Sequence, residues 1–370
     1  MSEITRYGIL GCGMMGQEHI RNLNLLGGAS VAAICEPDQK MRNKAHLLAP
    51  GALLADDLPD LLNSKLDALV IRTPNYLHCR QLLEVLASCP IPVMVEKPLV
   101  TNMDDLHRLN DYCNLNNPLV WVGMEYRYMP AIQEFIGELR ADTMGTIHML
   151  SIREHRFPFL HKIGHWNRFN QNTGGTFVEK CCHFFDLMRL FLRSEPIRVY
   201  ASAGQDHNHL QEEYADGKPD ILDNGFVIVE FAEGQRAMLD LCMFAEGSQY
   251  EQEICAVGSR AKIECKLPGP KLLWGDLQVE PELIVSPRNP IGVDKKNIAV
   301  DLTLENAGSH HGATYHEHAA FQKTLCEGAP IEVTVTDGLI AVLMGLAAQR
   351  SVQTGTSIGV DVSSLSLSED

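Results

Sequence analysis

The chain has 370 residues, of which 31 are basic and 47 acidic, for a formal net charge of −16. At roughly 100–200 residues per domain that length suggests two domains, and 45% hydrophobic with 21% charged residues excludes a disordered, collagenous or fibrous chain. The acidic balance disfavours nucleic acid and anionic membrane surfaces as partners.

From Arg6 to about Gly123, short apolar runs alternate with helix-length amphipathic stretches. Strands are predicted at Tyr7–Leu10, Ser30–Cys35, Leu66–Ile71, Val93–Val95 and Leu119–Val122, with helices between them at Met15–Leu26, Asp38–Leu48, Leu58–Asn63, Tyr76–Ser88 and Asn102–Leu115. Such alternation implies right-handed crossovers and a doubly wound parallel sheet. After Gly123 the texture changes. A helix at Met129–Arg140, a long strand at Thr146–His155 and a helix at Phe177–Leu192 precede five strand-like runs between Ile197 and Cys265. Consecutive strands without helices between them predict a mostly antiparallel sheet. Gln205–Asp220 reads as an exposed polar loop, and Lys266–Asn297, with five prolines, as an irregular crossing segment. Helices are predicted near His316–Cys326 and Thr336–Gln353, and the end from Ser351 as weakly ordered or an edge strand. The fold class is therefore α/β: an N-terminal Rossmann-type domain over 1–123 and an α/β domain with an open, mostly antiparallel sheet over 124–370.

No run of about 18 apolar residues marks a membrane span, and no basic segment followed by an apolar stretch marks a signal peptide. The eleven cysteines are scattered singly apart from Cys181-Cys182, with no CxxC pair. That usage fits free thiols in a reducing compartment, so the expectation is a cytoplasmic protein.

Gly11-Cys12-Gly13-Met14-Met15-Gly16 matches GxGxxG where the first strand gives way to the first helix, which is the context the pattern requires. Gly11 permits the tight turn, Gly13 lets backbone approach a pyrophosphate, and Gly16 allows close packing. The helix start at Met14 and Met15 then offers N–H groups to phosphates. Glu36 closes the second strand about twenty residues on, where a carboxylate bonds a ribose 2′-hydroxyl and repels a 2′-phosphate. Pro37 and Asp38 follow it rather than an arginine, so NAD is expected over NADP.

Two further motifs end strands on the same sheet edge, where open α/β sheets bind ligands. Thr73-Pro74-Asn75, with His78, is a cofactor contact or an ordinary Pro-Asn turn. Glu96-Lys97-Pro98 offers a lysine whose amine can serve in acid–base chemistry, or a plain surface pair. In the second half, Glu179, His183 and Asp186 stand at i, i+4 and i+7, on one face of a helix otherwise filled by Phe184, Phe185, Leu187 and Met188. A neutral histidine oriented by a carboxylate is a natural proton acceptor; the alternative is a structural crosslink. A nucleophilic Cys181 or Cys182 ranks well below the acid–base reading, with plain packing as the alternative for the pair. His310-His311 and His316-Glu317-His318 do not form a metal site by spacing, since i and i+2 do not face each other and HExxH is absent.

In this order, GCGMMG, CEPD, TPNYLH, VEKPLV, NTGGTFVEKCCHFFD and the late YHEHAAFQKTLCEGAPIEVTVTDGLIAVLMGLAAQRS resemble the glucose–fructose oxidoreductase/inositol dehydrogenase (Gfo/Idh/MocA) family from Tyr7 to about Gln353. The resemblance implies bound NAD with Lys97 beside it and His183 as the family histidine. Its partner position holds Glu179, where the family has aspartate, and Lys180 adds an unexpected cation. It also implies that Arg127, His155, Trp166 and Asn167 join Lys97, Glu179 and His183 around a substrate, and that the open sheet builds a homodimer or homotetramer. The activity implied is NAD-dependent oxidation of a secondary alcohol of a sugar or cyclic polyol. Redox-neutral glycoside cleavage and non-catalytic sensing are the alternatives.

Overall fold

The computed structural model describes residues 4–270 and 279–369. Its first sheet contains β1 (Thr5–Leu10), β2 (Ala29–Cys35), β3 (Leu53–Ala55), β4 (Ala68–Ile71), β5 (Val93–Glu96) and β6 (Val120–Gly123), all parallel in the order β3-β2-β1-β4-β5-β6. Every residue of β4, β5 and β6 is buried, as expected of parallel strands covered on both faces. The helices between them are α1 (Met14–Leu25), α2 (Gln39–Leu48), α3 (Leu58–Leu62), α4 (His78–Ser88) and α5 (Met103–Asn116). Asp38, Asp57 and Asn102 cap α2, α3 and α5 through side-chain oxygens that accept backbone N–H groups. The strand order reverses between β1 and β4, which creates the crevice at their carboxyl ends where such sheets bind nucleotides.

The second sheet has ten strands. They are β7 (Ile147–His155), β8 (Pro196–Gly204), β9 (Asn224–Phe231), β10 (Arg236–Cys242), β11 (Gln252–Gly258), β12 (Ala261–Leu267), β13 (Glu282–Pro287), β14 (Asp294–Asn297), β15 (Ile358–Asp361) and β16 (Ser366–Glu369). Their order is β14-β13-β12-β11-β7-β10-β9-β8-β15-β16, antiparallel except for the β7–β10 pair. Side chains alternate between faces: Leu150, Ile152 and Glu154 are buried with α6 (Pro130–Arg140) and α9 (Cys182–Leu192) packed on the sheet. The opposite face exposes Met149, Tyr200, Phe226, Ile228, Met238 and Val257.

The remaining helices are α7 (Asn170–Thr173), α8 (Thr176–Glu179), α10 (Leu302–Ala307), α11 (Ala313–Glu327) and α12 (Val335–Thr354). With 20 residues and a mean hydropathy of 1.2, α12 is long and apolar enough to span a membrane by length and composition. Yet 61% of its apolar window is buried inside the protein, with Leu339 to Met344 fully inside, so α12 is a core helix.

Packing divides the chain into two units that are not consecutive: 1–128 with 300–339, and 129–299 with 340–370. Residues 300–339 thus join the nucleotide-type sheet because α11 packs on α1, which a linear division at Gly123 does not express. Two local expectations are corrected. The single helix predicted over Phe177–Leu192 is two helices, α8 and α9, broken at Lys180-Cys181. Gln205–Asp220 is the expected polar, largely exposed loop, pinned where the Asp223 carboxylate accepts the N–H groups of Asp206, His207 and Asn208, and Glu212 accepts from Arg168, His209 and Tyr214. Lys266–Asn297 contributes β13, β14 and the end of β12 to the sheet; 271–278 of that stretch lie outside the described residues.

Candidate active site

In the first unit the glycine turn is built from missing side chains. Gly11 sits at φ +87°, and a Cβ there would lie 2.7 Å from the Arg72 carbonyl. A Cβ on Gly16 would lie 2.2 Å from the Gly11 oxygen, so α1 can approach the turn only with glycine there. Gly13 differs: it caps α1 with no side-chain bond, and a Cβ on it would meet nothing within 4 Å. That open space before the N–H groups of Met14 and Met15 fits a pyrophosphate. At the end of β2, the Glu36 carboxylate accepts the Cys12 N–H at 2.6 Å and the Asp38 N–H at 2.9 Å. Two backbone donors thereby fix it facing the turn, with lone pairs left for a ribose hydroxyl.

The Thr73 and Lys97 loops are tied together beneath that turn. His78 is 1% exposed, with Nδ1 2.8 Å from the Pro98 oxygen and Nε2 2.9 Å from the Thr73 oxygen. It is a strut between the loops, with no ring surface left for a cofactor. Asn75 is buried, and Thr73 donates to Gln81 at 2.5 Å. Glu96 forms a buried ion pair with Arg72 and accepts the Lys97 N–H at 2.7 Å, so it orients the lysine backbone rather than a ligand. Sequence reasoning missed Arg72, whose fixed cation beneath the loops also reaches His19 Nδ1 at 3.0 Å. His19 Nδ1 in turn lies 2.5 Å from His318 Nε2. Burial pushes both histidines down, His318 to about 3, so the pair is neutral and His19 Nδ1 accepts from both neighbours.

Arg127 belongs to this unit as well. Its guanidinium is held by the Glu332 carbonyl at 2.7 Å and Asp337 at 3.6 Å. His310, passed over by spacing arguments, meets Glu18 of α1 and Glu125, all three offering ligand atoms within 4.8 Å of one another. The Thr314 hydroxyl lies 3.0 Å from Glu18 and 3.1 Å from Glu125. Burial works to raise Glu18, but His310 and the hydrogen bonds hold it below its ordinary range, while burial raises Glu125.

In the second unit, Glu179 ends α8 and His183 lies in the first turn of α9; both are buried, as is Asp186. The break between the helices means that the three do not share the face of one continuous helix. Lys180, in the break, reaches Glu154 of β7 at 2.7 Å, and Arg156 reaches the same carboxylate at 3.2 Å. His155 takes the other face of β7, where it lies 3.1 Å from Asp240, so strand alternation removes it from the His183 side. Asn167 is fully buried and donates to the Leu160 carbonyl at 2.9 Å, a structural tie. Trp166 stays half-buried and remains a candidate for lining a substrate site. Burial raises the Cys181 thiol well above its ordinary value, which keeps it protonated and unreactive.

Two family models cover the chain: an oxidoreductase family NAD-binding Rossmann fold matches residues 5–124, and the oxidoreductase family C-terminal alpha/beta domain matches 137–362. The chain is 24% identical to myo-inositol 2-dehydrogenase of Thermotoga maritima, over 96% of its own length and 98% of the relative's. It is 24% identical to inositol 2-dehydrogenase 2 of Saccharopolyspora erythraea, over 96% and 95%. The solved structure of myo-inositol 2-dehydrogenase from Lactobacillus plantarum superposes with a TM-score of 0.76 at 20% identity, over 97% of this chain and all of that one. Both modules in order, and the glycine turn with its carboxylate, make this chain a member of the Gfo/Idh/MocA oxidoreductase family with NAD as its cofactor.

Proposed function

We propose that the protein is an NAD-dependent dehydrogenase that oxidises a secondary alcohol of a sugar, cyclic polyol or close derivative. The observation that carries this reading is the turn at Gly13, open where a pyrophosphate fits and followed by Glu36 fixed by two backbone donors. Gly11, Gly13, Met14, Met15, Gly16, Glu36, Thr73 and Pro74 are the residues we assign to the dinucleotide. NAD, when bound, supplies the hydride acceptor. His183 takes the hydroxyl proton, oriented by Glu179, and Lys97 supplies a hydrogen-bond donor that stabilises developing negative charge. These roles rest on the family motifs and on the chemistry of the side chains. Most cofactor contacts are assigned to 1–123 and most substrate contacts to 124–370.

Relatives named as inositol dehydrogenases favour net oxidation over redox-neutral cleavage or sensing. The eleven free cysteines support a cytoplasmic location. The exposed apolar face of the ten-stranded sheet supports a homodimer or homotetramer, for which light scattering should give two or four chain masses.

The test is the initial rate at the NADH absorbance band with a panel of sugars and cyclic polyols, NADP run in parallel. Turnover with NAD on one ring stereochemistry is expected. Bound NAD with no turnover across the panel overturns the dehydrogenase reading.

A further inference from the structure

Lys180 is a buried cation at the break in the segment that carries Glu179 and His183. Its side chain is 6% exposed, and Glu154, which receives it, is 0% exposed. The backbone changes register at this point: the Lys180 and Cys181 N–H groups both reach the Thr176 carbonyl, at 3.0 and 3.4 Å. The Phe184 and Phe185 N–H groups then both return to Cys181, at 2.9 and 3.0 Å. Behind the break, α12 comes so close that a Cβ on Gly345 would lie 2.7 Å from the Phe177 carbonyl. The break is therefore a built feature, and one ion pair ties it to a central strand of the sheet.

The charged groups that meet Lys180 are few. Glu154 faces it from β7, with Arg156 just beyond that strand at 3.2 Å from the same carboxylate. Glu251, just before β11, lies 3.6 Å from Arg156. On its own segment stand Glu179, Cys181, Cys182 and His183, and the Phe184 ring centre is 5.6 Å from its Nζ. Two cations and two carboxylates thus balance in a dry site, where each charge acts at longer range than it does in water.

We infer that Lys180 is a positioning residue: its ion pair with Glu154 anchors the break between α8 and α9 and sets the electrostatic field at His183, three residues on. Burial and Arg156 push the Lys180 pKa down, while Glu154 and Glu251 oppose them, so the ammonium depends on its carboxylate partner. The inference rests on the proposed base role of His183, but its readout does not need turnover. Removing the Lys180 charge leaves the Glu154 and Glu251 carboxylates with one cation fewer, a change toward negative charge that favours imidazolium. Removing the Glu154 charge does the reverse.

The experiment follows the His183 imidazole by NMR in NAD-bound, histidine-labelled protein, its peak assigned as the one lost in His183→Gln. Lys180→Met should raise the His183 midpoint by about half a pH unit or more. Glu154→Gln should lower it, and the double variant should return it close to the starting value. A role limited to packing moves stability without these opposite shifts. An unmoved midpoint in folded Lys180→Met, shifts of the same sign in both single variants, or a His183 that never titrates overturns the inference. If Lys180→Met yields no folded protein, Glu154→Gln decides alone: a lowered midpoint supports the inference and an unchanged or raised one overturns it. Failure of the base reading shows separately, as full turnover by His183→Ala in the sugar panel.

Discussion

The turn at Gly11–Gly16 and the break at Glu179–His183 both bring chemistry to a helix start, by opposite means. The first works through absence: glycine at positions 11, 13 and 16, no side-chain cap, and backbone N–H groups left open for a ligand. The second works through buried charge, with Lys180, Glu154 and Arg156 locked beneath a turn that has no glycine of its own. A turn that binds phosphate needs room and unpaired donors, whereas a turn that holds a base needs its rotamers and field fixed. Substitutions should therefore fail differently in the two regions.

The largest effect should come from the second region. His183→Ala should lower kcat about 10²- to 10⁴-fold, the range of general-base catalysis, with NAD affinity unchanged by calorimetry. A parallel loss of NAD binding would break the separation of roles.

Within the first region the glycines divide. Gly16→Ala places a Cβ against the Gly11 oxygen and should destabilise the protein by about 1–3 kcal/mol, read as a lower melting temperature. Gly13→Val faces open space, so melting should hardly change while the NAD Kd rises tenfold or more. Equal melting losses in the two variants would contradict this division.

The smallest effect sharpens the comparison from beneath the turn. His318 is held at about 3, so the folded chain binds fewer protons there than the unfolded chain, whose histidine titrates near 6.5. The stabilisation is complete above the unfolded value and drains as pH falls toward the folded one, at up to about 1.4 kcal/mol per unit. Melting of the wild type should therefore fall more between neutral and mildly acid pH than melting of His318→Gln. Parallel pH dependences would show that the His19–His318 pair does not titrate on unfolding.

Much of the first unit is legible in local patterns, because each of its cues acts over a few residues. Alternating apolar runs and helices predict the parallel sheet, and three glycines plus Glu36 mark the dinucleotide turn, all of which the fold contains. Asp38 and Asn102 act as caps for the same local reason. In the second half, runs of alternating residues also predict the antiparallel sheet. Several expected site residues have partners far along the chain that local patterns do not reveal. Arg127 is drawn to Glu332 and Asp337, His155 to Asp240, and His78 to Pro98. No spacing rule reports that a polar side chain already has a partner.

By itself, then, the sequence determined the two sheets and the glycine turn with its carboxylate, since periodicity, turn preference and capping are properties of neighbours. Only the tertiary structure decided that 300–339 joins the first unit and that the helix around Glu179 breaks at Lys180. It alone paired Lys180 with Glu154 and Arg72 with Glu96. The first follows from α11 packing on α1, and the pairings depend on which buried charges find each other, since in a low-dielectric interior an unpaired charge is costly.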